Sequence, residues 1–240
     1  MSSSAKYTKY SKIFRRYFRE FRGQKLMKFD TGIAKKYRDS VEDAIEMIIA
    51  KGTDEQRRIA TLIRESEMEI RVQPVSVVNA SGVTGLIDPS ATSEKIADER
   101  LSLVEALGEV YIAIAEETID TGFQRGCEGT LVHEGRHAYD FARMIESYSK
   151  SATNPLSVFD PTLYELELEA HRTSGEYMLC INKDEYVDEG LQLMILGRDE
   201  GVAQCHVSED GIHKRLCDSY GLTPDGNQGP TASRLLGLSV

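Results

Sequence analysis

Leu131-Val132-His133-Glu134-Gly135-Arg136-His137-Ala138-Tyr139 is the stretch on which the fold and chemistry of this 240-residue chain turn. Residues four apart on an α-helix share a face, so His133 and His137 bring both imidazoles to one point. Glu134 projects about 100° round the helix from His133, close enough to meet a water at that point from the side. Neutral imidazole donors, an open position for water and a carboxylate that can take a proton are what hydrolytic zinc chemistry needs. Thr130, Leu131 and Val132 before the histidines, and Ala138 and Tyr139 after them, suit a half-buried helix.

The stretch is an HExxH motif, and in it the chain resembles the zincin metallopeptidases. The resemblance covers about residues 128–172. It implies a zinc-dependent hydrolase of peptide or protein substrates, with Zn²⁺ as cofactor and Glu134 as general base. The fold it implies is α+β and helix-rich, with a small, mostly antiparallel sheet beside the HExxH helix. In zincins a strand near that helix lies antiparallel to bound substrate. Arg136 departs from the pattern, which usually has an uncharged residue before the second histidine. Gly135 also costs a helix about 1 kcal/mol relative to alanine.

A catalytic zinc site needs a third protein ligand. The metzincin pattern would place a glycine and a third histidine within six residues of His137, but those positions read Ala-Tyr-Asp-Phe-Ala-Arg. Gluzincins instead take a glutamate from a later helix, written ExxA, and the chain offers Glu165-Leu166-Glu167-Leu168-Glu169-Ala170-His171-Arg172. Glu165, Glu169, Arg172 and Glu176 form one charged, solvated stripe. Glu167 lies on the other side with Tyr164 and His171, and it alone has alanine three residues on. The gluzincin resemblance therefore points to His133, His137 and Glu167 as metal ligands. Glu165 is the runner-up, because a gluzincin ligand often has an acid four residues later, as Glu169 would be. Tyr164 or His171 could donate to the developing oxyanion or orient a ligating histidine. A di-iron bundle would need a second ExxH beside Glu134-x-x-His137, and the chain has none. The alternative from another class is a non-catalytic metal-binding or interaction protein on the same scaffold.

Composition sets the outer bounds. Apolar residues at 40% and charged residues at 28% are those of a globular domain with a full core. No apolar run approaches the ~20 residues of a membrane span, and the start lacks a secretory apolar core. The cytoplasm is the expected compartment, although injection or non-classical export leaves no such mark. Cys127, Cys180, Cys205 and Cys217 form no CxxC pair and read as reduced thiols. Cys205-His206 with His213 and Cys217 is a weaker pattern for a structural zinc site. It lacks the paired-cysteine knuckle.

Residues 1–28 carry nine Lys/Arg against Glu20, a balance of +8, which leaves −18 on the rest of a chain with net charge −10. An acidic body disfavours nucleic acid as a partner. In the basic segment Tyr7, Tyr10, Phe14, Tyr17, Phe18 and Phe21 recur at helical spacing among lysines and arginines, as in an amphipathic helix over Lys6–Phe21. The aromatic stripe is expected to pack on the acidic body; otherwise residues 6–28 would contact an anionic membrane or a partner.

Along the chain, helices are expected over Ser40–Ala50, Asp54–Glu67 and Ser93–Leu107. Strands are expected over Ile70–Val78, returning as Val83–Ile87 after a turn, and over Glu109–Glu117. Thr121-Gly122 reads as a turn before the motif helix, Cys127–Ser147. Asp160-Pro161 reads as the cap of the next helix, which runs to about Asn182. Beyond it, helices are expected over Val187–Leu196 and Glu209–Tyr220, with Val202–His206 extended. The domain plan is a basic segment 1–28, one zincin-like domain 29–220 and a loose tail 221–240. Oligomeric state and substrate specificity are not encoded in any of these patterns.

Overall fold

The computed structural model describes residues 27–150, 158–181, 196–198 and 205–240. The amphipathic helix expected over Lys6–Phe21, and all but the last residue of the one over Val187–Leu196, lie outside these residues. No described helix is long and apolar enough to cross a membrane.

Strand β1 (Lys28–Phe29) leads into helix α1 (Lys35–Lys51), which buries Tyr37, Val41, Ala44, Ile45 and Ile48. Helix α2 (Asp54–Glu65) starts from a capping box, in which Thr53 Oγ1 accepts from the Gln56 amide and the Gln56 side chain accepts from the Thr53 amide. Strand β2 (Glu69–Gln73) stops earlier than its apolar run suggests, because Pro74 cannot donate to a ladder. The remaining valines form the single helical turn α3 (Val75–Val78), closed by Asn79 at φ 59°. Strand β3 (Gly82–Leu86) follows. The helix expected over Ser93–Leu107 is two: α4 (Pro89–Asp98), capped by Asp88 with proline at its start, and α5 (Leu103–Leu107), capped by Ser102.

Strand β4 (Val110–Ala115) runs directly into α6 (Glu116–Tyr148), the motif helix. The break expected at Thr121-Gly122 falls at Phe123, whose φ of 49° and ψ of −149° interrupt the helix. Helix α7 (Leu163–Cys180), strands β5 (Leu196–Arg198) and β6 (Cys205–Val207), helix α8 (Glu209–Tyr220) and the short α9 (Ala232–Leu235) complete the described elements.

The main sheet has the order β1-β2-β4-β3. It is mixed rather than mostly antiparallel: β2 pairs parallel with both β1 and β4, and only β3 runs against its neighbour. Helical crossovers separate β1 from β2 and β2 from β4, long enough to bring each strand back in the same direction. β3 is not the hairpin partner of β2. The fully apolar β4 takes the central place between them and leaves β3 at the edge. Ile70, Ile112 and Ile114 from the sheet meet Leu107, Met144 and Ile145 in the main core. The motif helix packs against α1, α2, α5 and α7 as well as β3 and β4, so its position is fixed from several sides.

Two expectations about the C-terminal half are corrected. Thr162, not Asp160, caps α7, through a capping box with Glu165. Asp160 is committed elsewhere, accepting from the Ser233 amide at 2.8 Å, the Ser233 hydroxyl at 2.7 Å and the Tyr148 hydroxyl at 3.0 Å. Residues 221–240 are accordingly not loose. Leu222, Ala232 and Leu236 are buried, and Leu163, Tyr164 and Ala232 share backbone hydrogen bonds with Pro230, Gln228 and Pro161.

Burial alone would raise the pKa of Asp160, but the Ser233 and Tyr148 donors outweigh it and hold it below the ordinary carboxylate value. The anchor is therefore complete above the ordinary aspartate range and weakens as pH falls through the lowered value. Asp160→Ala should open residues 221–240 to limited proteolysis at neutral pH. The wild-type tail should become equally sensitive only in acid.

Candidate metal centre

The motif lies on the part of α6 that faces α7, where Leu131, Val132, Ala138, Phe141 and Ala142 are buried around it. His133 Nε2 and His137 Nε2 are 3.2 Å apart, with the rings nearly perpendicular at 83°. From α7, Glu167 reaches both: Oε2 is 3.5 Å from His133 Nε2 and Oε1 is 3.5 Å from His137 Nε2. Ala170, fully buried one turn on, keeps the facing surface of α7 small. Gly135 has a similar use on α6, since a Cβ there would come within 3.2 Å of Ile63 Cδ1 on α2.

The other two glutamates are occupied. Glu165 closes the capping box of α7, and Glu169 pairs with Arg172 and lies 3.8 Å from Arg136. Arg136, the departure in the motif, is buried: its Nε donates to Asp140 Oδ2 at 2.7 Å and its Nη1 to Glu55 Oε1 at 3.2 Å. It is held by three acids from three helices and belongs to the α2–α6–α7 packing.

Glu134 is buried beside the histidines and held by β3. Thr84 Oγ1 donates to its Oε2 at 2.8 Å and to its backbone oxygen at 3.1 Å. β3 can come this close because Gly82 has no side chain. A Cβ there would lie 2.5 Å from Thr130 Cγ2 and 2.9 Å from Glu134 Cγ.

His171 has a ring only 1% exposed and packed against His133, with centroids 4.8 Å apart. Its Nε2 is 3.8 Å from Glu167 Oε2. Tyr164 is not at the centre: its hydroxyl is 2.5 Å from His213 Nδ1, and its ring packs with Met178, Ile212, Leu216 and Leu222. His213 is thereby engaged. The side chain of Cys205, the first member of the Cys205–Cys217 pattern, lies outside those described; His133, Glu167 and His171 form a cluster that could hold a metal ion.

Two site residues have no signal in the linear pattern. Tyr220, the last residue of α8, meets His171 edge-on at 6.3 Å. Arg215, on the same helix, lies within electrostatic reach of both His171 and Tyr220. Only the packing of α8 on α7 brings them there.

The electrostatics follow from burial and mutual charge. Burial opposes a charged His137, but Glu167, Glu134 and Asp140 outweigh it and raise its pKa. Burial likewise opposes a charged Glu167, yet the two imidazoles hold it well below the usual carboxylate range. His171 is pushed down to about 3, first by burial and then by the neighbouring His133, Arg215 and His137, so its imidazole is neutral. Burial and the Glu167 and Glu134 carboxylates push Tyr220 up to about 12, which keeps its hydroxyl protonated and able to donate.

These residues fit zinc. Donors to one zinc ion stand roughly 3.3–3.5 Å apart; here the two Nε2 atoms are 3.2 Å apart, and each lies 3.5 Å from a different oxygen of the Glu167 carboxylate. Glu167 Oε2, which faces His133 Nε2, is buried without a hydrogen-bond partner among the described residues. Nitrogen and carboxylate donors that face one another in this way suit a cation better than they suit one another.

A helix-rich α+β fold with a buried His/Glu cluster at an HExxH helix matches a gluzincin-type zinc site and supports a zinc-dependent catalytic centre consistent with peptidase activity. No protein-family model, curated protein or solved structure matches the chain.

His133→Ala and Glu167→Ala should each abolish stoichiometric zinc in elemental analysis of protein purified without chelator. Glu165→Ala should keep it, at a cost in stability of about 0.5–2 kcal/mol for the weakened helix cap.

Proposed function

We propose that this protein hydrolyses peptide bonds with zinc held by His133, His137 and Glu167. The observation that carries the reading is the meeting of two imidazoles and one carboxylate within 3.5 Å, with the Glu134 carboxylate fixed beside them by Thr84. Zinc bound there supplies a Lewis acid that polarises the scissile carbonyl and makes water a nucleophile near neutral pH.

The protein's own groups do the rest. Glu134 takes the proton of the attacking water and returns it to the leaving amine. Thr84 fixes the carboxylate so that one oxygen is always presented, and Gly82 gives it room. Tyr220 donates to the oxygen that gains charge as the carbonyl becomes tetrahedral, and the nearby Arg215 charge favours the same oxygen. The edge strand β3 offers its unpaired backbone side to an extended peptide, which would add to the sheet beside Glu134. This assigns to β3 the substrate-aligning role that the zincin resemblance leaves to one of the strands.

We assign this activity to the single domain 29–220, with residues 221–240 packed onto it, acting in the cytoplasm.

Glu134→Gln should retain zinc but lose peptide hydrolysis by about 10²–10⁴-fold, the usual worth of a general base; wild-type turnover in that variant would overturn the mechanism. Tyr220→Phe should lower kcat by roughly 10²–10³-fold with KM little changed, as expected for a donor used only in the transition state. An equal change in KM alone would reduce Tyr220 to a ground-state contact.

A further inference from the structure

His171 has no part in the peptidase chemistry above, yet it is the most completely buried polar side chain at the centre, 1% exposed. Neither Nδ1 nor Nε2 has a hydrogen-bond partner among the described residues. A buried polar group without a partner costs about 1–3 kcal/mol, and a phenyl ring could fill the same space without that cost. Nε2 instead approaches Glu167 Oε2, at 3.8 Å, and that oxygen is also buried and unpartnered. One donor atom each from His133, Glu167 and His171 lie within 4.8 Å of one another. Tyr220 stands against the ring on another side.

We infer that His171 is a fourth protein donor to the zinc, so that the resting centre is three histidines and a glutamate. This rests on the zinc site proposed above and changes its coordination. The 3.8 Å separation from Glu167 Oε2 is wider than the 3.2 and 3.5 Å edges of the other three donors. It still falls within the 4.8 Å compass of the cluster that His171 forms with His133 and Glu167. Glu167 and His171 stand one turn apart on α7, and His133 and His137 one turn apart on α6. Each helix therefore contributes an i, i+4 pair to the same ion.

The test uses the full chain loaded with zinc, as wild type and as His171→Phe, which keeps an aromatic ring in the packing but removes both lone pairs. X-ray absorption fine structure counts the imidazoles bound to the ion, and chelator competition gives the zinc affinity. Three imidazoles are expected in the wild type and two in the variant. Affinity should fall by more than the roughly 10–100-fold that loss of an outer hydrogen-bonding partner costs. Near-ultraviolet circular dichroism checks that the variant is folded. If it is not, the imidazole count in the wild type decides alone. Two imidazoles in the wild type would overturn the role of His171 and leave the peptidase reading intact. Absence of zinc from the wild type would overturn both.

Discussion

The constraint on which the structure depends is the burial of imidazole and carboxylate groups in the seam between α6 and α7. His137, Glu134, Glu167 and His171 are each less than a tenth exposed. Five of the nitrogen and oxygen atoms of His133, His137, Glu167 and His171 have no hydrogen-bond partner among the described residues. At about 1–3 kcal/mol for each unsatisfied group, this cluster opposes folding by an amount comparable with the whole net stability of a domain, about 5–15 kcal/mol. The apolar core must hold the seam closed against that cost. An ion bound by Glu167 and the histidines only in the folded chain offsets part of that cost, so metal affinity and fold stability are linked.

The surrounding elements are arranged to bring the backbones close enough for short contacts between side chains. Gly135 lets α6 approach α2, Ala170 keeps α7 slim towards α6, and Gly82 lets the edge strand rest on Thr130 and Glu134. These three small residues come from three separate elements. The reversal of β3 relative to the rest of the sheet has a related consequence. It puts a strand with one free side along the motif helix, where the interior strand β2, paired on both sides, could not receive a peptide.

What could be read from the linear chain is what depends on local period. The i, i+4 histidines, the face shared by Glu167 and His171, the apolar run of Val110–Ala115 and the cap at Thr53 all follow from spacing within one element. Strand order does not, because β4 inserts between β2 and β3 through contacts distant in sequence. The start of α7 was legible in principle, since Thr162-Leu163-Tyr164-Glu165 is a capping-box sequence. A linear reading gives the cap to Asp160-Pro161 because it cannot foresee that Ser233, 73 residues away, captures Asp160. Tyr220 and Arg215 were out of reach for the same reason: their place at the site comes from how α8 docks on α7. Tyr164, next to the ligand helix positions in sequence, is drawn off by His213 on that same helix α8.

Arg136 shows how a departure from a motif can serve the motif's chemistry. A histidine must be neutral to ligate a metal, yet the carboxylates of Glu167, Glu134 and Asp140 all favour protonated His137. Glu167 and Glu134 cannot be removed without removing the chemistry. Asp140 is paired with a cation, since Arg136 Nε donates to it at 2.7 Å from one helical turn away. The same guanidinium lies between Glu55 and Glu169, two further acids that would otherwise add to the negative field of the seam. An uncharged residue at position 136 would leave Asp140 buried without its cation, which is costly, and would leave its charge to act on His137 unopposed. In this chain the charge next to the second histidine pairs the acids that the α2–α6–α7 packing buries around the site.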